Sequence, residues 1–381
     1  MKSFLQFLKR AYKYFRRTKR VWRKPPCAAL LIIDRGTASP LDEMFAHHKP
    51  HVLDIRGESI NMFALLRAVP KIRLGALAYI EAYIDFVKPK LILSRTDNNA
   101  TMWQLKRRTN ATYQVALVQN GWRLDVGFEI PQLLKKSGPA GIWTIDKLFA
   151  FGPAWISQLP SYIKFKGIAA GSVKANNYIL NKIRSDSQIG FISSFRSNAE
   201  KIQSYNNATA IYRTFDNKVF ESNRNLLIVG NTKKSEVDWP ELNFYSSLFV
   251  KSTWNLESRE VNLSSYDKLQ NVCCVIVESS TLGYEFLNIG MRVGFIAFRP
   301  QHRQDRRFGK PLEFGEKGPF WTNDPTEDEI ARVLEYLLTV SDEQWERDSG
   351  WIRDQLMVYD YGNTKIRTYV EGVLADSLES N

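Results

Sequence analysis

Short apolar, β-branched runs alternate with longer amphipathic stretches along most of the chain. That alternation predicts a parallel sheet wound with helices on both faces. Six strands are expected in the first half: Ala28–Asp34, His51–Ile55, Leu91–Ser94, Gln114–Val118, Lys147–Phe151 and Gly167–Ala169. Helical patterns fall at 59–67, Ala76–Phe86 and Met102–Arg108. A polar stretch over 171–187 reads as a linker, and a second series begins at Ile189–Ser193. It continues through a helix at 199–215, a strand at Leu226–Val229 and a weak strand at Ser247–Val250. A helix at Tyr266–Leu269 and strands at Val272–Val277 and Arg292–Phe298 follow, before helices at 327–340, 343–357 and 363–376. The expected fold class is α/β with two parallel sheets and an N-terminal amphipathic helix. Its units are 1–26, 27–180, 181–355 and a C-terminal helix at 356–381 that packs back on the first domain.

Residues 1–24 break this pattern. Phe4, Leu8, Ala11, Phe15 and Trp22 recur at helical spacing among eight or more cations, and Pro25-Pro26 closes the stretch. Such a helix suits the interface of an anionic membrane. A nucleic-acid arm or a solvated basic tail is the other reading. Charge changes the picture here: residues 1–33 hold ten Lys or Arg and no acid, so they account for all but three of the net charge of +13. The body is not basic enough to be a nucleic-acid binder. Hydrophobic content of 44% and charged content of 24% are those of a soluble globular protein. No apolar run nears the roughly 20 residues needed to span a bilayer, and no secretory signal is evident. Cys27, Cys273 and Cys274 read as small core residues in a reducing compartment.

In doubly wound sheets, ligands bind beyond the carboxyl ends of the strands. Val275–Glu285 reads as a buried strand, a turn of hydroxyl residues (Ser279, Ser280, Thr281) and the start of a helix. The positive end of a helix dipole behind a small-residue turn favours a phosphate, and Glu285, a turn further on, is placed to hold ribose hydroxyls. Lys233 follows a strand and Arg307 lies in the Arg-rich loop 299–326, so both are candidates for the donor's phosphates. Asp34, Arg35, Arg56, Asn99, Asn120 and Arg123 follow strands of the first half and form the expected acceptor side. Glycosyl transfer needs a base for the attacking hydroxyl. Asp97 is the first candidate, as base or nucleophile, with Glu58 second and Asn98 beside them.

No metal and no cofactor is expected. His47, His48 and His51 are close in sequence but lack a clear helical ligand pair. No Asp-x-Asp, Gly-x-Gly-x-x-Gly, Walker loop or Gly-x-Ser-x-Gly elbow occurs.

Val52–Asn61, Val87–Lys90, Thr96–Asn99, Val118–Gly121, Ser279–Glu285 and Phe320–Asn323 together resemble a family of glycosyltransferases from bacterial surface-carbohydrate gene clusters. The resemblance covers roughly residues 28–340. The Ser-Ser-Thr turn is more distantly similar to one in capsule Kdo and sialic-acid transferases, although this chain lacks a His-Pro pair like theirs. The resemblance implies the GT-B architecture of two facing Rossmann-like domains, with a nucleotide-sugar donor bound mainly by the C-terminal domain and no obligatory metal. The acceptor it implies is a lipid-linked or growing glycan of O-antigen, capsule or lipooligosaccharide type, at the cytoplasmic face of the inner membrane. A nucleotide-sugar epimerase, or a non-catalytic glycan-binding assembly subunit, is the alternative.

Overall fold

The computed structural model describes residues 17–69, 76–107, 111–122, 143–179, 185, 187–196, 208–232, 239–258, 265–299 and 308–375. Two sheets dominate. The strands in chain order are β1 (Lys19–Val21), β2 (Leu30–Ile33), β3 (His51–Leu53), β4 (Ser59–Asn61), β5 (Leu91–Ser94), β6 (Gln114–Val118), β7 (Trp143–Ala150) and β8 (Ile163–Ala169). They continue as β9 (Gln188–Ile192), β10 (Asn225–Val229), β11 (Trp254–Glu257), β12 (Cys274–Val277), β13 (Val293–Ile296), β14 (Lys317–Gly318) and β15 (Trp321–Thr322). The first sheet runs β3-β2-β5-β6-β7-β8 and is parallel throughout. The second runs β11-β10-β9-β12-β13-β15-β14, parallel except for the β14–β15 pair. The central strands β2, β5 and β12 are buried at every residue, as strands covered on both faces must be.

Each sheet grows to both sides of its first strand. In the first, the chain adds β3 on one side of β2 and β5 on the other; in the second, β10 and β12 flank β9. Crevices open at such points, here beyond β2 and β5 and beyond β9 and β12.

The chain returns to the first sheet at its end. Ile366, Val370 and Leu374 of the helix Thr364–Ala375, spaced four residues apart, pack with Leu30, Leu91 and Ala116 on one face of that sheet. Full burial of each such side chain contributes about 1.5–3 kcal/mol. Two close approaches secure this return. Trp155 Nε1 donates to the Leu356 carbonyl at 2.9 Å. Gly171 has φ +71°, and a Cβ there would meet the Val358 oxygen at 2.1 Å, so only glycine fits.

Several sequence expectations need correction, among them the helix expected over 59–67, which begins only at Met62 after the strand Ser59–Asn61. The helix expected over 1–24 does not run to its end: Lys19–Val21 is a strand paired in parallel with Ser59–Asn61. Residues 1–16 lie outside the described residues. Met102–Gln104 is a single 3-10 turn, because Asn99 Oδ1 accepts from Thr101 N at 2.9 Å and Trp103 Nε1 ties back to the Asp97 carbonyl at 2.7 Å. The strand expected at Ser247–Val250 sits instead at Trp254–Glu257. Pro240 and Glu241 begin a helix to Leu248, and the Asp216 carboxylate collects the N–H groups of Val250, Lys251 and Ser252 in the turn between.

Candidate functional site

Beyond β12 the chain turns at Glu278-Ser279-Ser280 and enters the helix Thr281–Asn288. Ser280 is its N-cap, with an extended backbone and a side chain accepting from Leu282 N at 3.3 Å. Gly283 lets the helix lie on its own strand, since a Cβ there would meet Val277 Cγ1 at 2.5 Å. The helix axis therefore points its positive end at the crevice beyond β9 and β12.

Glu278 faces away from that opening. It is buried and bonded to Arg299 through Nε at 2.7 Å and the backbone N at 3.0 Å, and to Ser194 Oγ at 3.0 Å. Removing one partner of such a buried pair would leave the other charge uncompensated. Arg299 and Ser194, both bonded to Glu278, line a small polar recess of about 260 Å³ together with Ser193, Arg196, Asn231 and Ser279 to Thr281.

A larger cavity of about 910 Å³ opens beside it, sharing Ser193, Asn231, Ser280 and Thr281. That volume is at the upper end of ordinary ligand pockets. Its opposite wall comes from the first sheet: Arg95 follows β5, Asn120 follows β6, and Ser39 and Pro40 follow β2. Arg95 is only 4% exposed. Its Nη2 donates to Asn120 Oδ1 at 2.9 Å and its Nη1 to the Ser39 carbonyl. Glu285 also lines the cavity, buried, with Ser172 Oγ donating to Oε1. Burial pushes its carboxyl above the usual range, against hydrogen bonds from Ser172 and Tyr266 and the charges of Lys174 and Arg95.

The two walls touch directly. Trp122, in the loop after β6, donates its backbone N–H to Thr281 Oγ1 at 2.8 Å. Its indole stacks on Tyr284, centroids 3.3 Å apart and planes 4° from parallel. Thr281 thus meets the cleft with a hydroxyl already engaged by the other half of the molecule.

The structure separates the remaining candidates. Asp34 is fully buried and takes Arg56 Nε at 2.8 Å, Arg56 Nη2 at 2.6 Å, Thr96 Oγ1 at 2.6 Å and Gly36 N at 3.2 Å. Burial pushes Asp34 up, but the bonds from Arg56 and Thr96 and the Arg56 charge outweigh it and hold the carboxyl below its usual value. Arg35 pairs with Asp54 at 2.6 Å. Glu58 is exposed and accepts from Arg56 N at 3.0 Å. None of these four lines the cavity. Asp97 is 4% exposed and lies behind the wall, where its Oδ1 accepts from Asn120 N at 3.2 Å. Asn98 is exposed and Asn99 caps the turn at Thr101. Arg123, Lys233 and Arg307 lie outside the described residues, as do Lys234, His302, Arg303 and Arg306.

Several cleft residues escaped sequence reasoning. Lys174 and Tyr178 come from the stretch expected to be a solvated linker; instead its first part is packed, with Asn176 bonded to the Ala170 carbonyl and Asn363. Tyr178 stacks on Tyr266 with centroids 4.2 Å apart. Asp267 and Lys268 follow Tyr266 into the same wall. The Ser265 start of a short helix was the only signal for them.

A family model described as "putative O-antigen biosynthesis protein" matches residues 116–373. The chain belongs to this family. The matched stretch takes in the loop of Asn120, the whole second sheet and the returning C-terminal helix. No match is found among curated proteins. Among solved structures, MnaA of S. aureus, in a co-structure with UDP, is similar with TM-score 0.54 at 12% identity over 94% of this chain and 97% of that one. A structure described as a "putative UDP-N-acetylglucosamine 2-epimerase from Listeria monocytogenes" gives 0.53 at 10% over 93% and 98%. The spinosyn rhamnosyltransferase SpnG, complexed with thymidine diphosphate, gives 0.50 at 11% over 89% and 99%. At such identities the likeness speaks for the fold alone, and the fold is GT-B. In this O-antigen family member the cleft therefore lies where two Rossmann-like sheets face each other.

Proposed function

We propose that the protein is a glycosyltransferase that moves a sugar from a nucleotide-sugar donor to a lipid-linked or growing bacterial surface glycan. The observation that carries the reading is the cleft itself. It lies at the switch points of both sheets and receives the N-terminus of the helix Thr281–Asn288 on one side and Arg95 and Asn120 on the other. A diphosphate seated at Ser280 and Thr281 would be stabilised as it leaves by the helix dipole and by the donors of the adjoining recess. The stacked Tyr178 and Tyr266 pair and Glu285 suit a nucleoside in the larger cavity. On this reading the second half carries the donor and the first half the acceptor, without a required metal. Asp97 acts by setting the position of Asn120, whereas Glu285 and Asp267 are the carboxylates that face substrate. Residues 17–24 keep Trp22 65% exposed among exposed cations, which supports seating on an anionic cytoplasmic membrane surface near the acceptor.

Likeness to the Listeria structure described as an epimerase favours one second reading, interconversion of a free nucleotide-sugar. A single assay separates the two. Candidate nucleotide-sugars are incubated with and without a membrane extract of surface-glycan intermediates; transfer products are followed by mass spectrometry and the nucleotide-sugar pool by proton NMR, which distinguishes epimers of equal mass. Nucleotide release with a hexose-sized mass gain on the extract supports transfer. An isomeric nucleotide-sugar formed without extract would replace it by the epimerase reading.

A further inference from the structure

His47 and His48 end a short 3-10 turn, Ala46–His48, where Lys49 adopts a left-handed backbone. They lie 323 residues or more from Glu371, yet both meet it. His47 Nε2 is 2.9 Å from Oε1 and His48 Nε2 is 2.7 Å from Oε2, one imidazole to each carboxylate oxygen. The two rings are 4.1 Å apart and tilted by 42°, so their Nε2 atoms converge without stacking. One donor atom from each of the three residues lies within 4.8 Å of the others. His51, the third histidine of the cluster in sequence, is not part of this group; its Nε2 is 2.7 Å from Tyr83 Oη.

We propose that His47, His48 and Glu371 form a binding site for a divalent transition ion, with zinc the best fit. Two imidazole nitrogens and one carboxylate oxygen are a donor set that zinc takes at about 2.0–2.2 Å. Donors held that far from a common centre in tetrahedral geometry are somewhat further apart than the present hydrogen bonds, so each His–Glu371 pair must open slightly while three donors already within 4.8 Å of one another close on one centre. His47 and Glu371 are half-exposed, which leaves room for this movement and for water at the fourth position. Each imidazole must then present its Nε2 lone pair, so any proton now shared with Glu371 moves to Nδ1 or to solvent. The site lies across the seam where the C-terminal helix covers the first sheet. The same seam is held by Ile366, Val370 and Leu374 against Leu41, Met44 and Phe45, and by Arg367 Nη1 donating to the Met44 carbonyl at 3.3 Å. Bound zinc would pin that helix to the turn Ala46–His48. This role is independent of the donor chemistry, and its failure would leave the glycosyltransferase reading untouched.

The test uses the full chain after chelator treatment. Zinc is titrated by calorimetry, and cobalt is titrated as a spectroscopic substitute. Wild type is expected to bind one equivalent of zinc, to gain thermal stability with zinc by mass action, and to give a visible cobalt spectrum without a sulfur-to-metal charge-transfer band. Glu371→Gln and the pair His47→Asn/His48→Asn are expected to lose about tenfold or more in zinc affinity, while His51→Asn keeps it. Absence of saturable binding in wild type overturns the proposal. So does unchanged affinity in the variants, or a sulfur band in wild type, since either puts the metal elsewhere. A sulfur band or no saturable binding in wild type overturns the proposal even if one variant fails to fold, and the other variant then carries the assignment to these residues.

Discussion

Asp34 shows how a residue of the expected acceptor side became a structural one. Its carboxylate is saturated by Arg56, Thr96 and Gly36, and its backbone sits at φ +83°, a conformation asparagine also tolerates. Asp34→Asn keeps the backbone and removes the charge. A loss of about 1–3 kcal/mol is expected at neutral pH in chemical denaturation. Because the folded-state pKa is depressed, the charge contributes stability above the unfolded value of about 3.9 and loses it as pH falls through the folded value. The gap between wild type and variant should therefore close on acidification below about pH 4. Glu285 has the opposite sign. Its pKa is raised by burial, so the ionised form is disfavoured by folding once pH exceeds the ordinary carboxylate value. Glu285→Gln is expected to raise Tm at neutral pH, to lose that gain in acid, and to weaken nucleotide binding; a lower Tm at neutral pH would contradict the burial argument.

At the scale of the element, the strand–turn–helix at Cys274–Asn288 decides most of the site. Its parts were legible in the sequence because each signal is local: a run of apolar β-branched residues, then a hydroxyl-rich turn that caps a helix; that Gly283 is where strand and helix touch emerges only in the structure. Gly283→Ala is expected to cost about 1–3 kcal/mol by forcing a methyl onto Val277, and Val277→Ala in the same chain should recover part of it. Additive losses in that cycle would sink the packing account. What was not legible depended on distance along the chain. Trp122 meets Thr281 across 159 residues and His48 meets Glu371 across 323, and no periodicity marks either partner. Lys174 and Tyr178 were hidden by composition, since a polar stretch reads as solvated unless its partners are known. The Lys19–Val21 strand was hidden by cations, which matched a helical stripe until the pairing with Ser59–Asn61 was seen.

For the whole molecule, the alternation of strands and helices was enough to foresee two parallel sheets, and the comparisons agree with the GT-B fold. How the halves meet is a matter of a few contacts. Trp122 on Tyr284 and Thr281 links the loop after β6 to the helix at the proposed phosphate seat. Trp122→Ala is expected to weaken nucleotide binding severalfold and to lower Tm by a few degrees, as loss of a buried aromatic contact should. Unchanged nucleotide affinity would show that the contact is merely structural.

The central claim is that the second half binds the nucleotide of a sugar donor at Ser280 and Thr281. The most direct measurement is a thermal titration of the full chain with UDP, GDP, CDP and CMP, repeated on Ser280→Ala. The account predicts that one nucleotide raises Tm progressively with the logarithm of its concentration, equivalent to about 2.7 kcal/mol of stability at a hundredfold excess over Kd. It also predicts a weaker response in the variant, which loses about 1 kcal/mol of helix capping along with part of the seat. No response of wild type to any of the four, or an identical response in Ser280→Ala, would contradict it.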